Sequence, residues 1–187
     1  MVPRRTVLHF ESAGSGAAEY PVEVGIALAD RRTLCCLIRP YETWSSWSSA
    51  KEAVHGITLA LLHTNGREPR QVAEWMNAEL HGQSVYCDDW DRTASLLHTL
   101  YKAADAGPPS FHLTSIDELL GPIPVEAWRE ETLDVKQSGG MRRHRASYEA
   151  RVRQIALSEL IADMTRDSFY PDAVPQKPRL HVVAGGR

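Results

Sequence analysis

The first apolar run of the chain, Thr6-Val7-Leu8-His9-Phe10-Glu11, is followed by the small-residue stretch Ser12-Ala13-Gly14-Ser15-Gly16. Val7 and Leu8 favour a strand, and the stretch after them is turn material. Alternate strand residues share a side, so His9 and Glu11 fall on one face. An imidazole and a carboxylate so placed can hold a metal, or they can simply end a strand at the surface; the run alone leaves both readings open. Tyr20 to Leu28 alternates in its first half, and Pro21 suits a strand start. Asp30-Arg31-Arg32 is a polar turn, and Thr33 to Ile38 reads as the returning strand, ended by Pro40. Three such runs with short links predict an antiparallel meander.

The pattern then changes period. Trp44-Ser45-Ser46-Trp47-Ser48-Ser49 offers serines as helix caps, Ala50 to His55 is a helical turn or two stopped by Gly56, and Thr58 caps a short segment through Leu62. Asn65-Gly66 is a turn signal. Val72, Trp75, Met76 and Leu80 recur at helical spacing and predict a helix over 69–80. Gly82 breaks it, residues 84–87 form a short strand, and 91–104 read as a helix with Leu96, Leu97, Leu100 and Tyr101 inward. After Pro108-Pro109, Phe111-His112-Leu113 is an expected edge strand. Ile116 to Leu120 and Val125 to Leu133 are shorter helices, and Gln137-Ser138-Gly139-Gly140 is a hinge. A basic segment, Arg142-Arg143-His144-Arg145, feeds a long helix to about Met164. The resulting expectation is an α/β domain over 1–166, a mixed sheet flanked by helices, with an irregular tail over 167–187.

Composition narrows the classes. The 187 residues carry a formal charge of −3 and a pI near 6.2, which argues against a large cationic face for nucleic acid. Three cysteines, two of them adjacent (Cys35, Cys36), make no disulfide framework and suggest a reduced chain with core-packed thiols. No apolar run approaches the ~20 residues of a membrane span. The two arginines near the start lead into no signal-peptide core, so a cytoplasmic location is expected.

Three local strings carry a family resemblance. Ala53-Val54-His55-Gly56-Ile57-Thr58 resembles the "hGIT" segment of the DnaQ-like 3′–5′ exonucleases. His144-Arg145-Ala146-Ser147-Tyr148-Glu149-Ala150 is close to the H-x-A-x-x-D-A motif of their DEDDh branch. The opening strand reads His9-Phe10-Glu11 where the family reads D-x-E, and Tyr20 to Gly25 resembles the S-Y-P-I-E-V-G run of a bacterial subgroup. The order and spacing match over residues 5–162.

The resemblance implies a ribonuclease-H-like fold with five strands, and a metal-dependent exonuclease acting on single-stranded RNA or DNA 3′ ends. It allows a homodimer. Two divalent cations about 4 Å apart would activate water and relieve charge on the leaving oxygen. Glu11, Asp91 and Glu149, with His9, are the implied ligands for Mg²⁺ or Mn²⁺. His144, with Glu11, is the implied catalytic pair, His144 as general base. His55, Trp44 and Arg145 are the implied substrate contacts.

The departures are specific. His9 replaces an Asp, and a neutral imidazole suits softer metals and cannot bridge two ions. Glu149 replaces the last Asp with one more methylene. The middle Asp is expected three and four residues before a pair of large apolar residues; counting back from Leu96-Leu97 gives Thr93, whereas Asp91 lies about 200° around a helix from that position. The residues therefore leave three functions open: an exonuclease, a degenerate relative that binds nucleic acid or a protein partner, and a single-ion enzyme using a softer metal through His9. Other chemistry-bearing residues have plainer readings: Asp88 and Asp89 as strand-end and cap residues, Trp44 and Trp47 as base stackers or core, the Arg142-Arg143-Arg145 cluster as a phosphate path or a solvated loop. His63, His81, His98, His112 and His181 read as surface residues.

Overall fold

The computed structural model describes residues 4–121, 124–138 and 144–169. Gly139, Gly140, Arg142, Arg143, His181 and the tail beyond Phe169 lie outside the described residues.

Strands β1 (Thr6–Ala13), β2 (Tyr20–Ala27) and β3 (Thr33–Leu37) form the expected meander. β4 (Ser84–Cys87) and β5 (His112–Ser115) complete a five-stranded sheet in the order β3-β2-β1-β4-β5. β1 pairs antiparallel with β2 and parallel with β4, so it is the central strand of a mixed sheet. Pro21 is tolerated because β3 pairs only with Ala27 back to Glu23, leaving Pro21 beyond the end of that ladder.

Alternation along β1 sorts the two faces. Leu8 and Phe10 join Val24, Ile26 and Val85 in the larger core, which is closed by α3 (Pro69–Leu80) and α4 (Trp90–Ala104). Val7 instead packs with Tyr86, Ile116, Leu120 and Leu157 under α5 (Asp117–Leu120), α6 (Val125–Ser138) and α7 (Ala146–Phe169). His9 and Glu11 share the side of Val7 and so face α7. A third cluster around Ala13, Tyr20, Val22, Ile57 and Leu62 anchors α1 (Ser49–His55) and α2 (Leu59–Asn65) at the end of β1.

Local chemistry explains most boundaries. The Ser48 hydroxyl caps α1 by accepting from the Lys51 amide, and Gly56 ends it in the left-handed region at φ 68. Thr58 caps α2 in the same way. Pro69 occupies the first turn of α3, where its missing N–H costs nothing. Asp89 caps α4.

Gly66 differs from the turn expected of Asn65-Gly66: its φ is −73. Glycine is needed there for space, since a Cβ would meet the Leu62 carbonyl at 2.4 Å and the Arg39 backbone nitrogen at 2.7 Å. Gln137 and Ser138, expected in a hinge, belong to α6, and α7 runs past Asp167 to Phe169.

Two contacts fix α7 against the sheet. Glu23, wholly buried in β2, accepts from the Ala146 amide at 2.8 Å and from the Arg145 guanidinium, capping the first turn of the helix. Gly25 lets the helix come close: a Cβ there would lie 2.0 Å from the Ala146 carbonyl carbon. Farther along, the buried Gln154 amide donates to backbone carbonyls of Arg5, Ala27 and Leu28.

Candidate functional site

His9 and Glu11 stand side by side on β1, His9 Nε2 3.6 Å from Glu11 Oε1, too far for a firm hydrogen bond. Their β2 partners are Gly25 and Glu23, so the glycine that admits α7 lies beside His9. Burial lowers the His9 pKa, and Arg153 adds to this against the pull of Glu11 and Asp88; the imidazole is therefore neutral near pH 7. Burial opposes the Glu11 carboxylate, but His9 and His55 keep its pKa below the ordinary value.

α7 brings Glu149 to this pair. Its side chain is 3% exposed. Oε2 accepts from Arg153, one turn later on α7, at 2.5 Å and lies 2.9 Å from the Lys136 ammonium of α6. Burial would raise the pKa of Glu149; Arg153 and then Lys136 overcome it and bring the value to about 2. Arg153 also donates from Nε to Asp88 at 2.7 Å, so one guanidinium joins the end of β4 to α7. His144 Nδ1 approaches Glu149 Oε1 to 3.1 Å, and that oxygen accepts no hydrogen bond.

The α4 position is settled by burial. Asp91 is exposed in the first turn, whereas Thr93 is 7% exposed, near the Cys87 thiol. The 200° between the two positions places Asp91 on the solvent side once Asp89 caps the helix. Among the described residues, no three His, Cys, Asp or Glu side chains are arranged to hold a metal ion. Glu149 lies within electrostatic reach of Glu11, Asp91 is exposed, and the groups that touch Glu149 are Arg153, Lys136 and His144. These residues do not fit a pair of divalent ions, which needs several free oxygen ligands.

Beside Glu11 opens a cavity of about 250 Å³ lined by Ser12, Ala50, Lys51, Val54, His55 and Arg92. Lys51 and Arg92 both donate to Glu19 Oε1, at 2.6 and 3.1 Å, and both reach the Ser12 hydroxyl. Two cations share the Glu19 carboxylate at the mouth, and the Glu11 carboxylate lines the same cavity. His55 is 2% exposed and accepts from the Ile57 amide through Nδ1 at 3.0 Å. That bond assigns the proton to Nε2, which is buried without a hydrogen-bond partner. Burial lowers the His55 pKa.

The remaining expected contacts are engaged elsewhere. The Arg145 guanidinium is committed to Glu23. The Trp44 ring stacks on Tyr20 at 5.1 Å, meets Tyr41 edge-on and packs against the core, while Trp47 packs with Ala13 and Tyr20 and donates to Glu52. His63, His81, His98 and His112 are exposed. Arg153, Lys136, Lys51 and Arg92 belong to none of the three family-like strings. Arg153 had a legible signal, lying four residues after Glu149 on a helix; Lys136 had none.

No model of a protein family matches the chain, and no curated protein does. Solved structures do. Escherichia coli exonuclease I in complex with a dT13 oligonucleotide aligns with a TM-score of 0.62 at 12% identity, over 89% of this chain and 42% of that one. A moderately thermophilic exonuclease I from Methylocaldum szegediense gives 0.63 at 14% identity, over 88% and 41%. A zinc-bound exonuclease I–single-stranded DNA complex from Escherichia coli gives 0.57 at 11% identity, over 90% and 42%. The chain spans less than half the length of each. At these identities the likeness is one of fold, and the fold is ribonuclease-H-like, a mixed five-stranded sheet flanked by helices as in the exonuclease I structures.

Proposed function

We propose that this chain is an exonuclease-fold protein, related to the DEDDh branch, that binds single-stranded nucleic-acid ends without hydrolysing them through metal ions. The observation that carries the reading is Thr93: the buried position on α4 holds a hydroxyl where two-metal hydrolysis calls for another carboxylate. His9 supplies a neutral ring in place of a second acidic group on β1.

Binding is supported separately. The cavity beside Glu11 offers the buried Nε2–H of His55 as a donor to a terminal sugar or phosphate oxygen, with Lys51 and Arg92 at the mouth to meet the backbone. His144, exposed and beside Glu149, is a further contact for the strand end. The reading requires a single copy of the chain.

The test pairs two readouts on one labelled oligonucleotide: fluorescence anisotropy for binding, and gel analysis for mononucleotide release, with EDTA, Mg²⁺ and Mn²⁺ in turn. The expected result is saturable binding that EDTA leaves intact, with no release under any condition. Release that depends on metal and disappears in Glu11→Ala overturns the proposal, as does an absence of binding in all three conditions.

A further inference from the structure

We infer that Arg153 and Lys136 are this chain's own replacement for the divalent ions its fold implies, balancing the charge of the cleft from within. The inference concerns how the carboxylates are held and stands whether or not a nucleic acid binds.

Three carboxylates lie around the cleft: Glu11 on β1, Asp88 at the end of β4 and Glu149 on α7. The Arg153 side chain, 16% exposed, reaches two of them through different nitrogens, Nε to Asp88 at 2.7 Å and NH1 to Glu149 Oε2 at 2.5 Å. A third bond from NH1 to the Glu149 carbonyl, at 3.2 Å, holds the fork in register with the helix. Lys136 adds its ammonium to the same Oε2 at 2.9 Å. Two of the three negative charges, Asp88 and Glu149, thus meet two positive ones.

A bridging guanidinium resembles a bridging metal in what it neutralises, but not in chemistry. It is permanently charged and planar, and it donates hydrogen bonds but has no vacant orbital to take a water's lone pair as a metal does. Mg²⁺ would need oxygen ligands at about 2.0–2.1 Å in an octahedral shell, and Oε2 of Glu149 already carries both cations, leaving Oε1 as its one oxygen without a hydrogen bond. A metal that takes Oε2 or Asp88 as ligand would therefore have to displace Arg153, which cannot neutralise itself by losing a proton.

The lysine has a second effect. Lys136 lies in the last turn of α6, so its contact with Glu149 ties α6 to α7 at the same point. The tie adds a charged link between helices that also meet through Trp128, Leu160 and Ile161 packed around Leu157 and through the carboxyl groups of Glu131 and Glu159.

The experiment follows thermal unfolding of the full chain in EDTA and in millimolar Mg²⁺ or Mn²⁺, with Mn²⁺ binding read in parallel by electron paramagnetic resonance. The wild-type melting temperature is expected to be the same in all three, and its Mn²⁺ spectrum that of the free ion. Arg153→Met should melt roughly 10 °C lower in EDTA, as expected for a buried ion pair broken on one side, and Mn²⁺ should recover several degrees of that loss. Glu149→Gln combined with Arg153→Met should melt above Arg153→Met alone and show no Mn²⁺ effect. A wild-type chain stabilised by Mn²⁺ in a way that Glu149→Gln abolishes overturns the inference. So does Arg153→Met with unchanged melting. If Arg153→Met does not fold, the wild-type titration and the double variant still decide.

Discussion

Both carboxylate oxygens of Glu23 lie 3.0 Å from the Nε of Arg145, a residue 122 positions away in the chain. The pair is asymmetric, with Glu23 wholly buried and the Arg145 side chain 39% exposed. Removing the arginine strands a buried charge, whereas Glu23→Gln keeps an acceptor for the Ala146 amide. Arg145→Ala should therefore cost more, about 2–3 kcal/mol once its partial exposure is allowed for, against about 1 kcal/mol for Glu23→Gln. Urea unfolding of the two variants measures the order, and a larger loss for Glu23→Gln would contradict it.

Gly25→Ala should be more damaging than either. The new Cβ would meet the Ala146 carbonyl carbon at 2.0 Å and the Ser147 nitrogen at 2.2 Å, and backbone atoms cannot step aside as a flexible side chain can. A loss of about 3 kcal/mol or more is expected, with α7 shifted off β2. Hydrogen exchange along residues 146–156 would show the shift, which a merely local strain would not produce.

Stability should fall as the pH drops. His9 and His55 have pKa values lowered from 6.5, so below that value the unfolded chain takes up protons that the native rings refuse, and stability rises with pH across this range. Glu149 acts lower down. With its pKa at about 2 against an ordinary 4.5, its contribution, roughly 3 kcal/mol, is complete above the ordinary value and is lost as the pH falls toward about 2. Melting temperatures recorded between about pH 7.5 and about pH 5 should decline, and His9→Asn should flatten that decline. A wild-type profile that rises toward acid would refute the assignment.

Arg92→Ala should weaken oligonucleotide binding and reduce its salt dependence. If Arg92 meets one phosphate, the slope of log affinity against log salt drops by about 0.7 for a single strand. Glu19 keeps Lys51 as a partner in this variant, so folding should be little affected. Anisotropy titrations at several salt concentrations separate this from a loss of fold.

Elements whose signals are local were legible in the sequence. α3 and β4 begin and end where Pro69, Gly82 and the apolar spacing put them; counting back from Leu96-Leu97 reaches the buried Thr93, although the family resemblance names the exposed Asp91 as the ligand. What the sequence hid depends on approach between distant segments. Gly25 and Gly66 look like ordinary glycines until α7 and the Arg39 backbone are set against them. Lys136 lies outside every motif and acquires its role only when α6 folds back onto Glu149. Arg145, placed in a motif, reads as a substrate contact because nothing local reveals that Glu23 holds it. The two arginines before His144 lie outside the described residues.

The division of labour on β2 has a practical consequence. Gly25 and Glu23 hold the start of α7 without using His9, Thr93 or Arg153, so the frame that aims Glu149 is separate from whatever Glu149 grips. A scaffold arranged in this way can be re-armed or disarmed by a few side chains while its backbone keeps its course. That makes this chain a suitable starting point for building a metal-dependent nuclease by design, with the latch on β2 left untouched.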